Sequence, residues 1–253
     1  EITYGDWSSD VCSSDLQPFK VGPDYLDPQL LSELAGSSCR NLDTLLCGPE
    51  WVQRCFHWHG SRADRVLVEG VMGLFDGRGP SPEGSSAAVA ALLGLPVVLV
   101  VEASRQAGSL AALVRGFRDH QPGLTIAGVV LNGVGSERHH ALLAEALAGI
   151  AMPLLGALPR HDSLALPSRH LGLLPAHELG DLQQRLAGDV GHEVGASVGG
   201  ATERPSAQAA LVVTVEDDAH VLKFDDVAGR FLGQDLDGVL DRKSTRLNSS
   251  HRT

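Results

Sequence analysis

The sequence predicts an α/β fold built on a mostly parallel, doubly wound sheet, and three observations carry that expectation. Short apolar runs alternate with segments of helical periodicity, the pattern of βαβ units. The runs are β-branched and apolar on both faces, as strands covered on both sides require. Several of them close on a polar residue, at the strand end where open parallel sheets place their ligands.

Residues 1–16 are polar, rich in Ser and Asp, and aperiodic, and Lys243 to Thr253 is equally aperiodic. Both resemble translated adapter sequence and are set aside from the fold. Phe19 to Val21 read as the first strand, broken by Gly22-Pro23, so that Asp24, Tyr25 and Asp27 are expected on a loop at its carboxyl end. A helix is expected from Pro49 to about His59. The clear strands are Arg65 to Glu69, Pro96 to Glu102, Thr125 to Asn132 and Pro153 to Leu158. Leu110, Leu113, Val114 and Phe117 repeat at helical spacing, and Ser136 is placed to cap a helix presenting Leu142, Leu143, Leu147 and Ile150. Leu179, Leu182, Leu186 and Val190 predict a last amphipathic helix. The expected domain is therefore 17–190, followed by a Gly/Ala/Ser-rich linker over 191–208. Residues 209–242 hold one plausible strand, Ala210 to Val215, which the sequence alone does not place.

Composition narrows the function. A net charge of -11 with no basic stripe argues against a nucleic-acid partner. No apolar run approaches the ~18 residues of a membrane span, and the N-terminus lacks signal-peptide order, so the expectation is a cytoplasmic protein. Cysteines at 12, 39, 47 and 55 form no C-x-x-C pair, which fits reduced thiols.

The chemistry gathers at strand ends. Lys20 is the only lysine before Lys223 in a chain that otherwise uses arginine, a compact point charge at the mouth of a strand. Glu69 opens a glycine-punctuated loop, Glu69-Gly-Val-Met-Gly-Leu-Phe-Asp-Gly77, whose far end holds Asp76. Carboxylates at such an edge suit Mg²⁺, which takes few protein oxygens and keeps its waters and the substrate's phosphates. Asn132 closes its strand before a glycine, as either a turn residue or a ligand contact. Cys55 and His59 share a helical face, but no third ligand accompanies them, and a half-buried helix end is the better reading.

Phe19-Lys-Val-Gly-Pro-Asp-Tyr-Leu-Asp-Pro28, Arg40-Asn-Leu-Asp43, the Glu69 to Gly77 loop and Pro167-Ser-Arg-His-Leu-Gly-Leu173 occur in an order that resembles the cobyrinic acid a,c-diamide synthase family, over roughly residues 16–190. Hydrogenobyrinic acid and nickel-sirohydrochlorin diamide synthases share these motifs. The resemblance implies a fold similar to dethiobiotin synthetase and the P-loop NTPases. It also implies ATP-dependent amidation of the a and c acetates of a corrinoid through acyl phosphates, in cobalamin biosynthesis, with Mg²⁺ and with ammonia derived from glutamine. On this resemblance Lys20 faces the transferring phosphate and Glu69 holds the metal, with Asp43 as a second metal candidate. Asp24, Tyr25, Leu26 and Asp76 line the corrin side. Asn132 hydrogen-bonds adenine beside the Gly156 to Pro159 backbone.

The family also has a G-x-x-x-x-G-K-[ST] loop ahead of the lysine strand and a glutaminase domain, and neither pattern occurs in these 253 residues. The expectation is a piece of the amidoligase domain, inactive by itself, with an inner strand of the sheet missing and apolar faces uncovered. A homodimer is left open. The alternative from another class is a non-catalytic module of the MinD/ParA kind, binding a nucleotide or a partner.

Overall fold

A computed structural model describes residues 16–159 together with 168–169, 172–173 and 208–215. Its elements run β1 (Leu16–Val21), α1 (Leu26–Ala35), β2 (Arg40–Leu42), α2 (Pro49–Gly60), β3 (Arg65–Glu69), α3 (Ser86–Leu93), β4 (Val97–Glu102), α4 (Ser109–His120), β5 (Ile126–Val134), α5 (Glu137–Ala148) and β6 (Leu154–Pro159). The short strands β7 (Ser168–Arg169) and β8 (Gly172–Leu173) pair antiparallel, and β9 (Gln208–Val215) returns to the main sheet. The strands of that sheet stand in the order β2-β1-β3-β9-β4-β5-β6, every neighbouring pair parallel.

Right-handed crossovers decide which face each helix covers. From β1 the chain steps outward to β2, and from β2 onward it steps the other way. The helix of the first step must therefore lie on the opposite face from those that follow. So it does. Leu31 of α1 packs with Leu67, Val98, Val100 and Val130, while α2, α3, α4 and α5 bring Val52, Phe56, Val89, Leu110, Val114, Leu143 and Leu147 against Phe19, Val68, Leu99, Val101 and Leu131. Adjacent residues of one strand thus feed two cores, which is why the runs are apolar without alternation. The rings of Phe19 and Phe56, 5.4 Å apart, join β1 to α2.

Local signals end the helices as the sequence leads one to expect. Ser85 and Ser136 accept hydrogen bonds from Ala88 N and His139 N, capping α3 and α5. Gly36 and Gly94 close α1 and α3 in the left-handed region.

Several expectations are corrected. Asp27 is not on a loop: α1 starts at Leu26, and Pro28 sits in its first turn, where a missing N–H costs nothing. The first strand begins at Leu16 and runs through Pro18, because β2 reaches only to the level of Phe19 and one side of β1 is open at the proline. Leu142 is 45% exposed while Leu143 is buried, since neighbours on a helix point about 100° apart and only one can face the sheet. The run in 209–242, which the sequence alone left unplaced, is an inner strand lying between β3 and β4. The predicted helix over Leu179 to Val190, the linker ahead of β9 and both terminal segments lie outside the described residues. None of the described helices is long and apolar enough to cross a membrane.

Candidate active site

The crevice forms where the chain reverses direction in the sheet. The connection after β1 leaves toward β2 and that after β3 leaves toward β4, so the carboxyl ends of these two adjacent strands flank the gap where such folds bind ligands. In the parallel register Lys20 stands opposite Glu69. Phe19, Val21 and Val68 point into the α2–α5 core, so Lys20 and Glu69 project from the other face, toward α1. There the Lys20 Nζ lies 3.2 Å from Glu69 Oε1, 2.6 Å from Asp27 Oδ2 and 4.0 Å from Asp24 Oδ2. The lysine side chain is 5% exposed, whereas the carboxylates are 26%, 23% and 38% exposed for Asp24, Asp27 and Glu69. One ammonium is thus sunk beneath three carboxylates.

This charge count sets the electrostatics. Burial by itself would lower the Lys20 pKa, but Glu69 and Asp27 outweigh it and hold the group above the ordinary lysine value. Burial raises both Asp27 and Glu69 despite the lysine, and the neighbouring carboxylates add to the rise. When all are ionised the cluster carries excess negative charge, so it favours a further cation or a proton over a bare anion.

Two loops bring the remaining predicted residues to the same edge. Gly22, at φ +81°, makes the turn after β1 and lies beside Val71 of the second loop. Asn41 Nδ2 donates to the carbonyls of Gly22 and Asp24, at 2.8 and 2.7 Å, and fixes the first loop. Asp24 Oδ1 accepts from Leu26 N and so caps α1, leaving Oδ2 for the lysine. Tyr25 is 76% exposed on the rim, and Leu26 opens the helix beside it. In the second loop the buried Ser86 hydroxyl pins Val71, and Leu74 plugs the core. Asp76 folds back to accept from Gly73 N at 3.1 Å, and a Cβ on Gly73 would come within 2.5 Å of that oxygen. No described contact ties Asp76 to Lys20. Asp43 is buried, and its Oδ1 accepts from Leu45 N and Leu46 N at 2.8 and 3.0 Å, a turn-forming role.

Asn132 lies two residues before the end of β5 and Pro159 closes β6, on the same edge of the sheet. From Glu69 to Asn132 is three strand spacings, roughly 14 Å, which suits an elongated ligand laid across the strand ends. Asn132 Nδ2 donates to Glu102 Oε2 at 3.0 Å.

Sequence reasoning left three contributors without a role. Asp27 makes the shortest contact to Lys20, Asn41 braces the first loop, and Glu102 holds Asn132. Glu102 carried the same signal as Glu69, a carboxylate closing an apolar strand. Cys55 is buried and His59 half-buried, and among the described residues no group of three His, Cys, Asp or Glu side chains is arranged to hold a metal ion by itself. Arg169 and Gly172 pair across β7 and β8.

Cys39 lies under the same carboxylates, and its thiol is pushed up to about 12, first by burial and then by Glu69. The folded state therefore keeps a proton that the unfolded chain loses above the ordinary thiol value near 9. Stability should fall between about pH 9 and 12, by up to ~1.4 kcal/mol per pH unit. Cys39→Ala should flatten that limb of a pH series of urea midpoints; an unchanged slope would assign the alkaline loss to other groups.

A family profile described as an AAA domain matches residues 55–168. Cobyrinate a,c-diamide synthase of Synechocystis sp. is 50% identical over 161 residues, 62% of this chain and 33% of that protein. Hydrogenobyrinate a,c-diamide synthase of Streptomyces coelicolor is 52% identical over 160 residues, and that of Brucella ovis 51% over 159, again covering 62% of this chain and 33% and 36% of theirs. The matched stretch is homologous to these synthases. The chain spans about a third of the length of the curated relatives it matches. No solved structure matches it significantly. The parallel α/β sheet agrees with the fold of the matched AAA domain, a P-loop NTPase-like architecture.

Proposed function

We propose that residues 17–190 are the amidoligase domain of a longer enzyme that converts the a and c acetate carboxylates of cobyrinic or hydrogenobyrinic acid to amides in cobalamin biosynthesis. The supporting observation is the buried Lys20 facing Glu69 in register across the crevice between β1 and β3, in a stretch about half identical to the diamide synthases.

In this reading a substrate carboxylate oxygen attacks the γ-phosphorus of ATP, ADP leaves, and an acyl phosphate forms. Ammonia, released from glutamine by a glutaminase domain elsewhere in the enzyme, then attacks the acyl carbon. The C–O bond breaks, phosphate leaves with the electron pair, and the nitrogen loses a proton. The protein's part is charge placement and orientation. Lys20 offers its ammonium to the transferring phosphoryl group, and Asp27 and Glu69 keep that ammonium charged and fixed. Asp24, Tyr25, Leu26 and Asp76 stand around the rim, where a corrin macrocycle would rest. Asn132 and the Pro159 end of β6 receive adenine.

The excess negative charge of the cluster fits Mg²⁺ held mainly by substrate phosphates and one or two carboxylates. Glu69 would hold it, and Asp43, one oxygen already bound to backbone amides, would be the second ligand. Bound there, the metal neutralises phosphate charge that the carboxylates would otherwise repel.

The full-length enzyme, given cobyrinic acid, Mg-ATP and ammonium chloride, should yield monoamide and then diamide by mass spectrometry. The absence of any ATP-dependent product would reject the proposal. Asp24→Asn or Asp76→Asn should make monoamide accumulate or raise the corrinoid KM about tenfold, roughly the worth of one hydrogen bond to a charged group, with the ATP KM near normal. If both instead lose Mg-ATP binding and keep the order of amidation, these carboxylates belong to the metal side.

A further inference from the structure

Asn132 sits in an arrangement that leaves its amide one orientation. A carboxylate only accepts hydrogen bonds, so the side of Asn132 turned to Glu102 must be its NH₂ group. Glu102 itself cannot swing away. Its Oε2 accepts from Asn132 Nδ2 at 3.0 Å, and its Oε1 accepts from Ser104 N at 3.1 Å. The next residue, Gly133, has φ +72°, and a Cβ there would stand 2.5 Å from Glu102 Oε1, so glycine keeps the seat for this carboxylate. The Asn132 backbone carbonyl accepts from Ala103 N at 2.7 Å, which locks the two strand ends together. No described group donates to Asn132 Oδ1, and among the described residues no unpartnered side-chain polar atom is buried, so this oxygen is not sealed in the core and is left for a partner at the carboxyl edge.

We propose that Glu102 is a positioning residue that fixes the Asn132 carbonyl oxygen outward and so makes the site select a 6-amino purine over a 6-oxo one. The proposal rests on reading Asn132 as the base contact. Adenine presents an exocyclic NH₂ donor where guanine presents an oxygen acceptor. A fixed carbonyl acceptor pairs with the first and repels the second. Were Asn132 free to flip, its NH₂ could serve guanine equally well.

The test compares kcat and KM for ATP and GTP in amide formation by the full-length enzyme. Wild type should prefer ATP about tenfold or more in kcat/KM, the size of one oriented polar contact. Glu102→Gln keeps the shape but can either donate or accept, so the Asn132 amide can flip. The preference should shrink to about threefold or less through KM, with kcat for ATP within about twofold. Glu102→Asp, which withdraws the carboxylate, should relax it in the same way if the glutamine variant is insoluble. The pair Glu102→Gln with Asn132→Asp should restore the preference, because the new amide donates to a carboxylate whose other oxygen again faces the base. A purely structural role predicts no such restoration. An unchanged ratio in both single variants, or no recovery in the pair, overturns the proposal. Wild-type amidation without preference between ATP and GTP overturns it while leaving the amidoligase reading intact; no nucleotide-dependent amidation removes both.

Discussion

Replacing Lys20 with methionine is expected to abolish ATP-dependent amidation in the full-length enzyme and to destabilise the domain at neutral pH. The side chain keeps its length and loses its charge. On the proposed reading the transferring phosphoryl group then loses a cation, a loss of about 10²–10³ in rate for a single oriented partner. Asp24, Asp27 and Glu69 are left with no ammonium among them, and because these carboxylates are partly exposed the cost falls below the about 3–5 kcal/mol of a fully buried pair broken from one side and above the about 0–1 kcal/mol of an exposed one. The effect has a pH signature. The lysine, raised above its ordinary value, contributes its full stability below that value. The carboxyls of Asp27 and Glu69 are raised, so the folded state takes up protons before the unfolded chain does. Acidification through their folded pKa values discharges the cluster and should narrow the gap in Tm between Lys20→Met and wild type. A gap that stays constant from pH 7 down to about 4, below the ordinary Glu value from which Glu69 is raised, would show that the lysine stabilises by packing its stem rather than by charge.

Glu69→Gln should separate chemistry from stability. The amide keeps the shape and an oxygen for the Lys20 ammonium, and it removes one negative charge from a cluster that has too many. Folding stability at pH 7 to 8 should therefore hold or rise slightly. On the proposed reading, amidation should fall by roughly two to three orders of magnitude with glutamine and with free ammonia alike, because the lost group would serve phosphoryl transfer, upstream of the nitrogen. Activity retained with ammonia and lost only with glutamine would move Glu69 out of that step.

Lys20 and Glu69 were legible because each interrupts an apolar run with a charge, Glu69 as the last residue of β3 and Lys20 one residue before the end of β1. Their pairing was not, because strand order is a property of the whole sheet rather than of any local segment. Asp27 shows a different failure. Flanked by Leu26 and Pro28, it reads as loop, and only the return of α1 over the sheet turns it toward the lysine. The three-residue β2 is too short for any periodicity to reveal it. Ala210 to Val215 announced a strand by composition, but nothing in those residues names β3 and β4 as neighbours.

That late strand has a consequence for how the protein is made. β3 and β4 follow one another in the chain, yet no backbone hydrogen bond joins them directly; β9 bridges them, pairing Arg65 with Gln208 and Val97 with Leu211. Two half-sheets, one bearing Lys20 and Glu69 and the other Glu102 and Asn132, are therefore stitched together by a segment translated some 140 residues after β3. At about 5–20 residues per second the ribosome delivers it roughly 7–28 s later. Among the described residues only β9 pairs with the facing edges of β3 and β4, and such edges, left open on apolar strands, are a template for pairing with another chain. Nascent chains stalled before residue 208 should accumulate as aggregates or chaperone clients, whereas release after residue 215 lets the seam close.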